Sequence, residues 1–194
     1  MGDMAVELNP RTFTVAEYHQ MVDAGILDEG ERVELLDGLI VTMPPIGVPH
    51  WTRHRVVQEY LATMLRGRAQ VHGQISLPLG DRSKPEPDLA ILADIPYERL
   101  NRVPSPPEIY AMIELAESSL RKDTQTKRRL YARFGIADYL VVDLAGDVLL
   151  HYANPRDGDY PEPDRLGCDN IFSLAAIPDV VLSAEPFLFG RPAA

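Results

Sequence analysis

Cysteine is almost missing from this 194-residue chain. Cys168 stands alone, so no internal disulfide can close, and the paired spacing of a zinc ribbon or a redox motif is excluded. Its acidic surroundings also disfavour a reactive thiolate. Long apolar runs are missing as well. No stretch reaches the roughly 18 apolar residues that a membrane helix needs, and the opening MGDMAVELNPRTF lacks the charged-then-apolar order of a secretion signal. We therefore expect a cytoplasmic chain with no membrane partner. Positive charge is scarce: 19 Lys and Arg face 29 Asp and Glu, a formal net charge of −10. A protein that holds nucleic acid by a broad basic surface has the opposite balance. Gly135, Gly146 and Gly158 are isolated, so no phosphate-cradling loop is present. Ser118 and Ser119 lack the glycine frame of a nucleophile elbow. No repeat or low-complexity tract occurs.

What remains is an ordinary globular mixture, 45% hydrophobic and 25% charged. Its length suits one core rather than two. We expect a single domain over 1–194, with a core at about 14–160 and a C-terminal extension over 161–194. Thr14 followed three residues later by Glu17 is a capping box and predicts a short helix. Asp37-Gly38 between two apolar runs, Val33 to Leu36 and Leu39 to Val41, predicts a hairpin. Apolar residues at helical spacing predict a helix over 50–66, with His50, just after Pro49, at its uncertain edge. Strands are expected over 70–79 and 87–92, and a proline-rich loop over 96–107. The run Ile109 to Ala116 reads as a strand buried on both faces. A helix over 119–134 should stop at Gly135. A strand pair, 139–143 and 148–152, and one or two weaker strands complete an α/β (α+β) domain with a central mixed sheet.

Acids lodged in apolar strands carry the chemistry. Glu34 lies within Val-Glu-Leu-Leu, Asp88 within Pro-Asp-Leu-Ala-Ile and Glu114 within Met-Ile-Glu-Leu-Ala. Burying an isolated carboxylate is expensive, so each needs a cation, donors or a metal. Glu34 or Asp88 alone could face water, because a strand has period two. Glu114 is harder to dismiss, being apolar-flanked on both sides. Convergent carboxylates suit Mg²⁺ or Mn²⁺, which activates water and stabilises charge on a phosphoryl oxygen.

Asp123, Lys127 and Tyr131 recur every four residues and share one helix face. One reading is an exposed ion pair over a packed tyrosine. The sharper one sets Lys127 beside the carboxylates. The stretch 118–134 holds six basic residues (Arg121, Lys122, Lys127, Arg128, Arg129, Arg133) and one acid, Asp123. A basic face can thus hide in an acidic total, with Arg128 and Arg129 as candidate phosphate contacts.

These residues carry a family resemblance. VELLDGLIVTMPPIGVPH (33–50), KPEPDLAIL (84–92), IELAESSLRKDTQTKRRLYARFGIADYLVVD (113–143) and HYANPRDGDY (151–160) resemble the Uma2 family, grouped with restriction endonucleases in the PD-(D/E)XK nuclease superfamily. The resemblance implies a restriction-endonuclease-like core, with a mixed sheet flanked by helices. It implies a metal-dependent endonuclease acting on DNA, Mg²⁺ or Mn²⁺ at Glu34, Asp88 and Glu114, and catalytic help from Lys127. The wider superfamily places its lysine two residues after the second acid, where this chain has Ala116. Lys127, on the next helix, matches the position that the family uses instead. Glu117, Ser119, Asp123 and Tyr131 match recurrent positions in supporting roles, and His50 matches one near the mouth of the site. A homodimer is implied by nucleases that pair two sites across a duplex.

His50 and His54, four apart, have the spacing of zinc ligands but lack the intervening Glu of a zinc protease. Two rival readings stay open at this point. One is a noncatalytic relic of the fold that binds a partner or oligomerises. The other is a metal-dependent hydrolase of a small phosphoester, which needs no basic groove.

Overall fold

A computed structural model describes residues 10–28, 30–96 and 102–190. Helix α1 (Val15–Asp23) begins at Thr14, whose hydroxyl accepts the Glu17 amide while the Glu17 carboxylate accepts the Thr14 amide. Tyr18 packs beneath it on Val33 and Leu35. Strands β1 (Val33–Leu36) and β2 (Leu39–Thr42) form the expected hairpin. Asp37 and Gly38 both take positive φ, 50° and 80°, as a two-residue turn matched to strand twist requires. The hairpin is tied to the rest of the fold by Leu35, which pairs with Lys84 in both backbone directions.

Helix α2 (Val48–Met64) starts two residues earlier than expected, so His50 lies in its first turn rather than before it. Pro49 is no obstacle there, because its missing amide would be unpaired in any first turn. Strand β3 (Ala69–Gly73) is shorter than the expected 70–79. It stops where Gln74 turns to φ 49°, a conformation incompatible with a continuing ladder. Strands β4 (Leu89–Ala93), β5 (Ile109–Ala116), β6 (Asp138–Asp143), β7 (Val148–Ala153) and β8 (Asp164–Leu166) follow β3 in one six-stranded sheet. The sheet is mixed: β5 and β6 run parallel and the other neighbours antiparallel. Of the proline-rich loop, 97–101 lie outside the described residues. Pro106–Glu108 forms a single 3-10 turn into β5.

The crossover from β5 to β6 is helical but not uniform. Helix α3 (Leu120–Lys122) opens into a π turn over Asp123–Lys127, where Arg128 N–H reaches back to Asp123 O, and re-forms as α4 (Arg128–Arg133). The C-terminal hairpin, β9 (Ile171–Leu174) with β10 (Ile177–Ser183), packs with α2 on one face of the sheet, through Phe172, Leu174, Ile177 and Phe187. On the other face, α4 covers a group of tyrosines, Tyr131, Tyr139, Tyr152 and Tyr160. Strand β5 divides its side chains by its period of two. Ala111, Ile113 and Leu115 face α2, whereas Met112 and Ala116 face the crossover helices. Glu114 belongs by register to the second set, which sets a carboxylate under the π turn. Among the described residues, no helix is long and apolar enough to cross a membrane.

Candidate active site

Asp88 and Glu114 meet because β4 and β5 are neighbours. Leu89 pairs with Ile113, so Asp88, one residue before β4, lies beside the end of β5. Its Oδ2 accepts the Leu115 amide at 2.7 Å. His50 Nε2 donates to the other oxygen at 3.0 Å, and His54 Nε2 donates to the Asp88 carbonyl at 2.9 Å. The two histidines thus share a helix face as their spacing suggests, but they clamp one aspartate rather than a zinc ion. Asp88, Glu114, Asp123, Lys127, Lys122 and His50 line one cavity of about 50 Å³, walled by Met43 to Ile46 on one side and Glu117 to Ser119 on the other.

Lys127 is the centre of a buried charge network. Its ammonium is 2.9 Å from Glu114 Oε1 and 3.0 Å from Glu34 Oε2. Tyr131 donates to the same Glu114 oxygen at 3.0 Å. Lys122 donates to the remaining Glu34 oxygen at 2.7 Å, and the Glu86 amide reaches Glu34 Oε2 at 3.3 Å. Lys122 and Lys127 are five residues apart. In an α-helix they would point in different directions, but an i→i+5 turn stacks residues of that spacing. The π turn therefore aims both ammonium groups at one carboxylate. Asp123 keeps to the cavity wall, with Ser119 donating to its Oδ2 at 2.5 Å. Its Oδ1 is buried with no hydrogen-bond partner among the described residues.

Electrostatics follow from this geometry. Burial drives the Glu114 carboxyl well above the ordinary range, Lys127 offsets part of that, and Asp123, Asp88 and Glu34 add to it. Burial opposes the charge on Glu34 too, but Lys127 and Lys122 outweigh it and hold this carboxyl below its usual value. At Asp88, burial is outweighed by the hydrogen bond and charge of His50 and by the Leu115 amide, so the group stays low. Burial raises Asp123, against the pull of Lys127 and Ser119. Lys127 pays for burial but is held cationic, above its ordinary value, by Glu114, Glu34 and Asp123.

Five carboxyl groups on the cavity wall, Glu86, Asp88, Glu114, Glu117 and Asp123, with Glu34 behind it, thus face Arg32, Lys122 and Lys127 beside His50. That excess of acid, the unpartnered Asp123 oxygen and the free side of Glu114 fit a divalent cation. Among the described residues no three His, Cys, Asp or Glu side chains converge as a closed metal cage would require. An open Mg²⁺ or Mn²⁺ site needs fewer, since such ions keep several waters and take one or two carboxylates. Asp88 and Glu114 suit that role. Glu34 does not: its side chain is fully buried, it is not on the cavity wall, and both its oxygens are engaged by lysines.

Arg128 and Arg129 are away from the cavity. Arg128 makes a two-pronged pair with Asp159 at 2.7 and 2.8 Å, and Arg129 lies 3.9 Å from the same carboxylate. Five of the six basic residues over 121–133 are ion-paired: Lys122 and Lys127 in the network above, Arg128 and Arg129 at Asp159, and Arg133 at Asp37. Lys122 is the site residue that sequence reasoning missed. It resembled one more cation on a solvated face, and the only signal was its spacing of five from Lys127.

A protein from Anabaena variabilis described as a putative nuclease belonging to DUF820 has a similar fold, with a TM-score of 0.68 at 14% identity over 92% of this chain and 98% of that one. No curated protein matches. The Uma2 family model, described as "Putative restriction endonuclease", matches residues 15–185. Spanning both the acid-bearing strands and the helical crossover, that match shows that the chain belongs to the Uma2 family.

Proposed function

We propose that the protein is a metal-dependent phosphodiesterase that cleaves nucleic acid, with DNA as its substrate. The observation that carries this reading is one cavity in which Asp88, Glu114 and Lys127 meet with an excess of acid. The family description supports it. Asp88 and Glu114 would hold Mg²⁺ or Mn²⁺. When bound, such a cation neutralises charge on the scissile phosphate and acidifies a water. Lys127, held protonated by its carboxylates, is unsuited to be a general base. It acts as a fixed positive charge and donor toward the phosphate or the attacking water. Glu34 positions Lys127 and Lys122 instead of ligating metal, and His50 positions Asp88 by fixing one oxygen and leaving the carboxylate ionised.

The test is Mn²⁺ binding by calorimetry, together with nicking of supercoiled plasmid, for the parent, Asp88→Asn and Glu114→Gln. Binding and nicking by the parent, both weakened in each variant, are expected. Equal Mn²⁺ affinity in Asp88→Asn and the parent would sink the metal site. The cavity's small volume favours one second reading, hydrolysis of a small phosphoester. Inhibition by short nucleotides with no binding of longer strands would select it.

A further inference from the structure

One side of the cavity, Met43 to Ile46, is apolar and leads in the chain to exposed apolar residues at the start of α2. Ile46, on the cavity wall, is followed by Gly47 and by Val48, which is 76% exposed. His50 then turns inward to Asp88, and Trp51, the only tryptophan in the chain, turns outward at 59% exposure. The Trp51 amide bonds the Gly47 carbonyl at 3.0 Å, so the ring stands on the first turn of α2, a rigid element one residue from the clamp on Asp88. Exposed apolar residues grouped beside a site, here Ile46, Val48 and Trp51 within six residues, are a candidate contact surface.

The charge distribution says what kind of contact. Affinity for a duplex comes chiefly from cations that displace counterions along its phosphates. Here five of the six basic residues over 121–133 are ion-paired, to Glu34, Glu114, Asp159 and Asp37. That leaves Arg32 on the cavity wall and Arg55, four residues on from Trp51 in α2, as cations for about two phosphates. With so few phosphate contacts, binding draws also on the bases themselves. Duplex bases are stacked on one another and present no free face, whereas an unpaired base stacks readily on an aromatic ring. We infer that Trp51, close in the chain to the exposed Val48 and Ile46, is a stacking platform for an unpaired base, so that this site takes single-stranded or locally unpaired nucleic acid. This inference rests on the phosphodiesterase reading above.

The test uses the full chain with Ca²⁺ in place of Mg²⁺, and labelled oligothymidylate of about a dozen nucleotides, its abasic counterpart, and a duplex of equal length. Fluorescence of Trp51 reports stacking directly, and anisotropy of the label gives affinity. The single strand should quench Trp51 and bind about tenfold or more tighter than the abasic strand and the duplex. Trp51→Ala should weaken single-strand binding about tenfold, and Trp51→Phe should restore most of it. The salt dependence should be shallow, a log–log slope of about −1.5 or less steep, corresponding to two phosphates at roughly 0.7 each. Trp51 is exposed, so a misfolded variant is not expected, and Val48→Ser should weaken binding in the same direction. Equal affinity for abasic and intact strands, or an unchanged Trp51→Ala, would overturn the inference while plasmid nicking still upheld the reading beneath it. Trp51 emission that shifts with protein concentration alone would assign the patch to a second copy of the chain and overturn it too. Failure of both strand binding and nicking would remove the reading and the inference together.

Discussion

Replacing Lys127 by methionine removes the charge at the centre of the network while keeping most of the side-chain volume. The structure sets the scale. Lys127, Glu34 and Glu114 side chains are 3%, 0% and 6% exposed, so solvent screens the loss very little. Breaking a buried pair by removing one partner typically costs about 3–5 kcal/mol. Glu34 would retain Lys122 at 2.7 Å, which places the expected cost near the lower end, about 3 kcal/mol. For a chain of this size that is roughly 6–12 °C in melting temperature. The pH dependence follows from Glu114, whose pKa burial already raises and which would lose its nearest cation. An acid whose folded pKa is raised favours folding least when pH is high, because the unfolded chain ionises freely and the folded one does not. The deficit of Lys127→Met relative to the parent should therefore widen between pH 5 and pH 8. Urea denaturation at the two pH values, with chelator present, measures it. Adding Glu114→Gln to Lys127→Met should recover much of the loss, because the stranded carboxylate is gone. A deficit below about 1 kcal/mol, or one independent of pH, would refute the network as described.

His50→Ala should raise the Asp88 pKa, because burial then acts without its main counterweight. Since a metal ligand must be deprotonated, the acidic limb of a Mn²⁺-binding profile should move to higher pH, and an unmoved limb would contradict the positioning role. Arg128→Ala should leave strand affinity within about twofold. It should lower stability by about 1 kcal/mol or less, since its pair with Asp159 is partly exposed. A large loss of affinity at constant stability would return Arg128 to the phosphate path. Gly38→Ala should destabilise by about 2 kcal/mol or more in urea: φ is +80° and an added Cβ would stand 2.6 Å from Thr12 Cβ and 3.0 Å from Phe13 O.

Local chemistry made parts of this fold legible in the sequence. The Thr14–Glu17 capping box and the Asp37-Gly38 turn depend on neighbours in the chain, and both form as expected. The mixed sheet followed from one apolar run buried on both faces and from the order of elements around it. Glu114 was conspicuous because nothing polar flanks it. The roles within the site were harder to read. Glu34 carries the same signature as Asp88 and Glu114, an acid in an apolar strand, yet two lysines occupy it. Nothing in its local sequence distinguishes a carboxylate facing a lysine from one facing a cavity. α-Helical spacing puts Asp123, Lys127 and Tyr131 on one face, but the π turn changes the register and admits Lys122. Arg128 reads in the sequence as a candidate phosphate contact because its partner, Asp159, lies 31 residues on.

The central claim is that Asp88 and Glu114 form one metal-dependent cutting site. Its most direct test is supercoiled plasmid incubated with Mn²⁺ and the parent, Asp88→Ala or Glu114→Ala, each first shown to melt cooperatively. Nicked circles from the parent, absent with chelator and absent with either folded variant, are the predicted result. Equal nicking by all three proteins, or by the parent in chelator, would contradict the account.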